Sequence, residues 1–325
     1  MTMAHRHTEI LDSIRDDLQR VEVTLRTLPM IDYEVVEEAI GHLLDSGGKR
    51  IRPTLTLLTS RLYPADADKV ISLAAAVEML HTATLVHDDV IDDSLLRRGS
   101  PTLNATWTPG ATILVGDYLF ARAADLAARS DNVRVMQIFA RTLMTIVTGE
   151  LGQLFESGSR VSREGYDRRI YAKTASMFEL ATEAAGVLIR APEDQVGVLR
   201  DFGRDLGMAF QIVDDVLDFT GDASEVGKPV GSDLRHGIVT LPALIYLEAH
   251  PDDDRINDLL RNGRRDEQQV SHIVESIRRS NAIAVSLNTA REYARRSQRG
   301  LSYLPEGDAR QAMWDIAEYV ITRTN

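Results

Sequence analysis

The chain carries the same aspartate-rich pattern twice. Residues 87–93 read His-Asp-Asp-Val-Ile-Asp-Asp, and residues 211–218 read Gln-Ile-Val-Asp-Asp-Val-Leu-Asp. In each copy two aspartates stand four residues apart, so that on a helix they share one face. A solvated acidic surface would explain one copy, but both copies lie in apolar sequence, where surface acids are not expected. The pattern predicts two helices that face each other across a cavity and bind a divalent cation, with Mg²⁺ favoured by oxygen-only ligands.

Apolar residues recur at helical spacing along the chain, for example at Ile10, Ile14, Leu18, Val21 and Leu25. Alternating patterns typical of strands are hard to find, which predicts an all-α protein. No break is long or low in complexity. We therefore expect residues 1–325 to form a single domain, a helical bundle around a central cavity, with Pro251 to Gln268 as a surface connection.

Composition excludes several classes of protein. The net charge of −12 argues against a nucleic-acid binder, and the absence of cysteine excludes disulfides and thiolate zinc sites. We find no apolar run as long as a membrane span and no apolar signal core near Met1, so we expect a cytoplasmic protein without a stable membrane anchor.

Basic residues occur in short groups near the aspartate clusters. Gly47-Gly48-Lys49-Arg50-Ile51-Arg52 reads as a glycine turn that enters a helix, with Lys49 and Arg52 three residues apart beside the amide groups of the first turn. Such a helix start is a suitable anion site. His81 stands two helical turns before Asp88; on its own it would be read as a buried histidine satisfied by a neighbour.

The ordered set of motifs resembles the trans-isoprenyl diphosphate synthases. The resemblance covers about residues 45 to 245 and rests on Gly48-Lys49-Arg50-x-Arg52-Pro53, His81 through Asp92, Arg97-Arg98-Gly99, Gly116-Asp117-Tyr118-Leu119, Gly149-Glu150-Leu151, Lys173-Thr174-Ala175, Phe210 through Asp218, and Gly227-Lys228. It implies the all-α isoprenoid-synthase bundle, usually dimeric, in which an allylic prenyl diphosphate is elongated with isopentenyl diphosphate.

The resemblance also implies roles for individual residues. Three Mg²⁺ ions per substrate-loaded site would be held by Asp88, Asp92 and Asp214, with Asp89 and Asp218 as further candidates and Asp93 and Asp215 as neighbouring acids. The catalytic set would be Asp88, Asp92, Asp214, Lys173 and Arg97. The allylic diphosphate would bind Arg97, Lys173, Thr174, Gln211 and Lys228, and isopentenyl diphosphate would bind Lys49, Arg52, His81 and Arg98. One position departs from the family pattern, because Ile238 stands where a lysine is often found.

Side chains below the first aspartate cluster should set product length, since one helical turn rises by about one isoprene unit. Thr84 and Ala83 lie four and five residues before Asp88, where short-chain members carry aromatic residues, and Met79 and Leu80 lie a turn deeper. We therefore expect an all-trans product of thirty carbons or more. The alternatives are a geranylgeranyl (C20) diphosphate synthase and a class I terpene cyclase. A metal-dependent phosphohydrolase or an accessory subunit fits less well, and a homodimer or a heteromeric catalytic subunit both stay open.

Overall fold

The computed structural model describes residues 13–45, 48–97, 99–155, 162–221, 230–262 and 267–323. Within these ranges the chain is almost entirely helical, and its only strands are the two-residue antiparallel pair β1 (Leu96–Arg97) and β2 (Ser100–Pro101). The prediction of an all-α protein is confirmed. Ile10 lies outside the described residues, but Ile14, Val21 and Leu25 are buried as the helical spacing predicts.

The helices begin with α1 (Arg15–Arg26), α2 (Glu34–Asp45), α3 (Ile51–Ser60), α4 (Ala67–Ile91), α5 (Leu103–Thr106) and α6 (Pro109–Ala128). They continue with α7 (Val133–Phe155), α8 (Arg163–Ile170), a π-helical turn (Tyr171–Ala175), α9 (Ser176–Leu188) and α10 (Glu193–Thr220). The last described helices are α11 (Ser232–Arg235), α12 (Leu241–Ala249), α13 (Arg255–Asn262), α14 (Glu267–Arg279), α15 (Ala282–Gly300), a 3₁₀ turn (Leu301–Tyr303) and α16 (Asp308–Thr322).

Packing divides the chain into two compact units. The first comprises Met1–Met144, Met177–Gly203 and Gly300–Ile316, and the second comprises Thr145–Ser176, Arg204–Arg299 and Ala317–Asn325. The first aspartate cluster belongs to the first unit and the second cluster to the second unit. The expectation of one domain, with both clusters facing a common cavity, stays a prediction.

Helix α4 forms the centre of the first unit, where it packs against α1, α3 and α6. It starts at Asp66, whose carboxylate accepts hydrogen bonds from the backbone amides of Asp68 and Lys69 and so caps the helix. Helix α6 approaches α4 closely because Gly116 has no side chain. A Cβ atom at Gly116 would lie 2.2 Å from His87 Nε2 on α4. The aspartate cluster therefore extends from a tightly packed core helix.

The length and composition of α4 match those of a membrane-spanning helix, which our sequence expectation missed. However, 78% of its most apolar window is buried inside the protein. A central helix that is covered on nearly every side has to be apolar around its whole circumference. Burial in the core of the first unit therefore explains the apolar run.

The second unit packs around the carboxyl-terminal half of α10, where Ile212, Val213 and Phe219 are buried. The expectation that Pro251 to Gln268 is only a surface connection is wrong, because this stretch contains α13. Ile256 and Leu259 are buried one turn apart on that helix, which packs against α14. Ile256 and Leu259 therefore bury one face of a short helix within a strongly charged segment.

Candidate active site

The first aspartate cluster lies at the carboxyl-terminal end of α4. Asp88 and Asp89 are buried, whereas Asp92 and Asp93 are exposed. Asp92 follows the last helical residue, and its backbone N–H still donates to the carbonyl of Asp88 at 2.8 Å. The predicted spacing of one helical turn between Asp88 and Asp92 is therefore present, with the second acid at the helix end.

Arg97 on β1 lies directly against this cluster. Its Nε and Nη2 atoms donate to Asp89 Oδ1 at 3.0 and 2.8 Å, and the Asp89 side chain is 3% exposed. A bidentate pair with a buried carboxylate fixes the guanidinium plane as well as its charge. The structure thus places Arg97 beside the aspartate cluster through a pair that the sequence did not predict, while Arg98 lies outside the described residues.

The three remaining residues predicted for the isopentenyl diphosphate site also belong to the first unit. Helix α3 begins at Ile51, so Lys49 precedes the helix, and the spacing of three residues between Lys49 and Arg52 does not place them on one helical face. Arg52 lies with its guanidinium 5.1 Å from the centre of the Phe178 ring. His81 is half-buried on α4, seven residues or about 10.5 Å of helix before Asp88.

Between Lys49 and Arg52, Arg50 makes a set of contacts that the sequence analysis did not foresee. Its guanidinium donates to both carboxylate oxygens of Glu22, to Glu78 Oε1 and to the backbone carbonyl of Leu44. Burial by itself lowers the pKa of Arg50, but its bonds to Glu22 and the charge of Glu78 raise that pKa above the ordinary value. The one available signal was Glu78, a lone charge within the apolar stretch from Val70 to Leu80.

The second aspartate cluster lies on α10 in the second unit, and Asp214 is its partly exposed first member. Asp214 Oδ1 pairs with Arg323 Nη2 at 2.7 Å. The side chain of Arg323 is 2% exposed, donates to the carbonyl of Phe210 at 2.7 Å and lies 3.8 Å from the centre of the Phe210 ring. Arg323, at the end of the described chain, contacts this candidate metal ligand although no local motif indicated it.

Asp215 belongs to a buried network that links the second cluster to Thr174. Its carboxylate accepts hydrogen bonds from Tyr166 Oη at 2.6 Å and from Gln211 Nε2 at 2.8 Å, and Gln211 Oε1 accepts from Thr174 Oγ1 at 2.6 Å. Burial, helped by the charge of Asp233, raises the pKa of the Asp215 carboxyl to about 8, although the bonds from Tyr166 and Gln211 act against this rise. The structure thus brings Thr174 and Gln211 together with the cluster.

Asp218 connects the end of α10 to the backbone of the segment that follows. Its two carboxylate oxygens accept hydrogen bonds from the backbone amides of Ser232 and Asp233 at 3.1 and 3.2 Å, and its carbonyl accepts from Gly231. The end of α10 is thereby tied to the start of α11. Ile238, which stands where the family often has a lysine, follows shortly after, and Lys228 lies outside the described residues.

Lys173 lies in the π-helical turn between α8 and α9. Such turns are rare and often occur at functional sites. The Lys173 ammonium pairs with Glu150 on α7 at 3.1 Å. The neighbouring Gly149 allows this approach, because a Cβ atom there would lie 2.5 Å from Ala172 Cβ. The Gly149-Glu150 motif therefore positions Lys173.

The residues predicted to govern product length lie along α4. Ala83, Met79 and Leu80 are fully buried, and Thr84, whose hydroxyl donates to the carbonyl of His81, is nearly so. These positions contain no aromatic side chain.

No three carboxylate or histidine side chains converge on a metal position within the described parts of the chain. Proteins usually hold Mg²⁺ with one or two carboxylates together with substrate phosphates and water. The partly exposed Asp214, and Asp92 one turn from Asp88, offer such oxygen ligands.

Comparisons with known proteins agree with this geometry. A family model described as polyprenyl synthetase matches residues 33–277. The chain is 39% identical over 319 residues to the all-trans-nonaprenyl-diphosphate synthase (geranyl-diphosphate specific) of Rhodobacter capsulatus, covering 97% of each sequence. It is 38% identical over 314 residues to heptaprenyl diphosphate synthase component 2 of Geobacillus stearothermophilus, covering 94% of this chain and 96% of that relative.

Among solved structures, a polyprenyl synthase from Caulobacter crescentus CB15, complexed with calcium and isoprenyl diphosphate, matches with a TM-score of 0.92. The two share 34% identity, and the match covers 98% of each chain. The stretch that matches the family model contains both aspartate clusters and the basic motifs around them. The chain therefore belongs to the polyprenyl synthetase family and is a trans-prenyltransferase of the prenyl diphosphate synthase type.

Proposed function

We propose that this enzyme condenses isopentenyl diphosphate with an allylic prenyl diphosphate to give an all-trans polyprenyl diphosphate of thirty carbons or more. The observation that carries the product length is the small size of Ala83 and Thr84, one turn below the first aspartate cluster on α4. The names of two relatives, a heptaprenyl and a nonaprenyl diphosphate synthase, support a long product.

For the metal, we propose that Asp88, Asp92 and Asp214 hold Mg²⁺, with three ions per site when substrate is bound. Mg²⁺ would neutralise the diphosphate as it departs, which is the main barrier in an ionisation step. Asp89 and Asp218, the further candidates, already accept hydrogen bonds from Arg97 and from backbone amides. Their contribution is then to orient Arg97 and the start of α11.

For the substrates, Arg97, Lys173, Thr174, Gln211 and Lys228 hold the allylic diphosphate, and Lys49, Arg52, His81 and Arg98 hold isopentenyl diphosphate. In the allylic set, Arg97 pairs with Asp89 and Lys173 pairs with Glu150. The allylic carbon–oxygen bond breaks, the double bond of isopentenyl diphosphate forms the new carbon–carbon bond, and one proton leaves. We assign no protein side chain as the base for that proton.

We further propose a homodimer in the cytoplasm, without nucleic acid and without a stable membrane anchor. On α7, the apolar residues Val147, Leu151, Leu154 and Phe155 are exposed, and their spacing of three and four residues places most of them on one face. A second copy would cover this face. The alternative partner is a different subunit, suggested by the relative named as component 2 of a synthase.

Incubation of the purified protein with Mg²⁺, isopentenyl diphosphate and farnesyl diphosphate tests the proposal. The products are dephosphorylated and their length is measured by mass spectrometry, and light scattering gives the molar mass of the enzyme. A ladder that reaches thirty carbons or more supports the proposal, and a ladder that stops at twenty carbons refutes the product length. A homodimer that is inactive alone would indicate that a different subunit is needed.

A further inference from the structure

Arg50 joins four helices at one point in the first unit. It is the residue that precedes α3, and its guanidinium reaches Glu22 on α1, the Leu44 carbonyl near the end of α2, and Glu78 on α4. The distances are 2.6 Å to Glu22 Oε1, 2.9 Å to Glu78 Oε1 and 2.9 Å to the Leu44 oxygen. One side chain thus sets the position of α3 relative to its neighbours.

The Glu78 carboxylate is the most deeply buried member of this group, with 5% of its side chain exposed. A buried charge of this kind is stabilised only while its partner is held in place. Arg50 meets that requirement because Glu22, on its other side, fixes the guanidinium through two further hydrogen bonds. The arrangement is therefore rigid, and it is anchored to the core helix α4.

The backbone of Arg50 is in the left-handed region, with φ 47° and ψ 31°. A residue other than glycine in this conformation costs about 1–3 kcal/mol, and such strain persists where surrounding contacts impose it. The contacts of the side chain supply that constraint. The left-handed turn changes the chain direction between Lys49 and Arg52, the two cations on either side of Arg50.

We infer that Arg50 is a positioning residue for the isopentenyl diphosphate site. It locks Lys49 and Arg52 at the start of α3 to Glu78, which lies three residues before His81 on α4. The inference rests on the proposed function of Lys49, Arg52 and His81. Lys49 and Arg52 lie at the start of α3 and His81 lies on α4, so their relative positions depend on how these two helices are held together.

Two Arg50 variants and two control variants test this role. Arg50→Lys keeps a positive charge and the same backbone strain, but one ammonium cannot reach Glu22, Glu78 and the Leu44 carbonyl together. Arg50→Gly combined with Glu78→Leu removes the strain and leaves no buried unpaired charge, so that the fold is retained. Glu78→Gln keeps an acceptor for Arg50 and serves as the conservative variant. Arg61→Met is the matched control, because Arg61 pairs with Asp17 on α1 at 3.0 Å from the other end of α3.

We expect KM for isopentenyl diphosphate to rise on the order of tenfold in Arg50→Lys and in the double variant, because small displacements of binding groups are costly. The allylic KM and kcat should stay within about twofold, and Glu78→Gln and Arg61→Met should resemble the wild type. Direct calorimetric binding of isopentenyl diphosphate, measured without the allylic substrate, should weaken by the same factor.

A folded Arg50→Lys protein and a folded double variant that bind isopentenyl diphosphate as tightly as the wild type would overturn the inference. An equal loss in the Arg61→Met control would also overturn it, because the effect would then reflect helix packing in general. Wild-type protein that does not bind isopentenyl diphosphate would instead overturn the proposed function, and this inference with it.

Discussion

Replacement of Ala83 by phenylalanine tests whether side chains on α4 limit product length. Ala83 is fully buried and lies five residues before Asp88, which corresponds to about 7.5 Å along the helix. If the growing tail runs along this face, an aromatic ring there blocks its path, because each isoprene unit needs roughly one helical turn of free channel. We expect Ala83→Phe to shorten the product by several isoprene units relative to the wild-type enzyme.

A second substitution on the same face turns this test into a measurement of distance. Ala76 is also fully buried and lies seven residues before Ala83, two turns or about 10.5 Å deeper. Ala76→Phe should therefore release a product about two isoprene units longer than Ala83→Phe does. Incubation with isopentenyl diphosphate and farnesyl or geranyl diphosphate, followed by mass spectrometry, gives both lengths.

Thermal unfolding of the same variants distinguishes a tail channel from ordinary core packing. A phenylalanine forced into a filled core destabilises a protein by about 1–3 kcal/mol, whereas a ring that enters an open channel does not. An unchanged product distribution together with a clear fall in Tm would show that Ala83 packs in the core. That result would remove the argument for a long product from Ala83 and Thr84.

Three further predictions concern the two aspartate clusters and their supports. Arg323→Met should lower turnover on the order of tenfold or more, because it removes the partner that holds Asp214. The control Arg296→Met breaks a pair with Asp205 on the same helix as Asp214, and it should lower Tm without a comparable loss of turnover. Steady-state rates and thermal melts of both variants test this difference. Gly116→Ala should lower the free energy of unfolding by about 1–3 kcal/mol because its Cβ atom meets His87, and unchanged denaturant curves would contradict this packing. Removal of divalent ions with EDTA should abolish turnover, with recovery on addition of Mg²⁺ and no change in far-UV circular dichroism; loss of helical signal would instead indicate a structural metal.

Much of the fold could be predicted from the sequence because helical periodicity is a local signal. The spacing of Ile14, Val21 and Leu25 matched α1, and the scarcity of alternating patterns matched the single two-residue strand pair of the described chain. Helix α13 was missed because it has eight residues, fewer than the window of about eleven or more over which a helical period becomes clear. The sequence analysis found no apolar run as long as a membrane span, but α4 has that length and composition. It is apolar on nearly every side because other helices of the first unit cover it.

In the candidate site, the spacing of one helical turn between Asp88 and Asp92 could be predicted for the same reason. The pair between Arg97 and Asp89, eight residues earlier in the chain, was not predicted. The bond between Arg323 and Asp214 joins positions 109 residues apart (323 − 214 = 109), and Arg50 meets Glu78 across 28 residues. No spacing rule within a helix or turn reaches that far. Long-range ion pairs depend on how helices pack, and a single sequence does not record that packing directly.

The second acid of each Asp-Asp pair has a similar environment in the two aspartate clusters. Adjacent residues on a helix point about 100° apart, so the two acids of an Asp-Asp pair cannot both face the same ligand. In each cluster the second acid is buried against protein: Asp89 on Arg97, and Asp215 on Tyr166 and Gln211. The first acid of the second pair, Asp214, is the more exposed one, with 39% of its side chain accessible. The second aspartate of each pair therefore has a protein partner of its own, whereas the first acids differ, because Asp88 is buried and Asp214 is partly exposed.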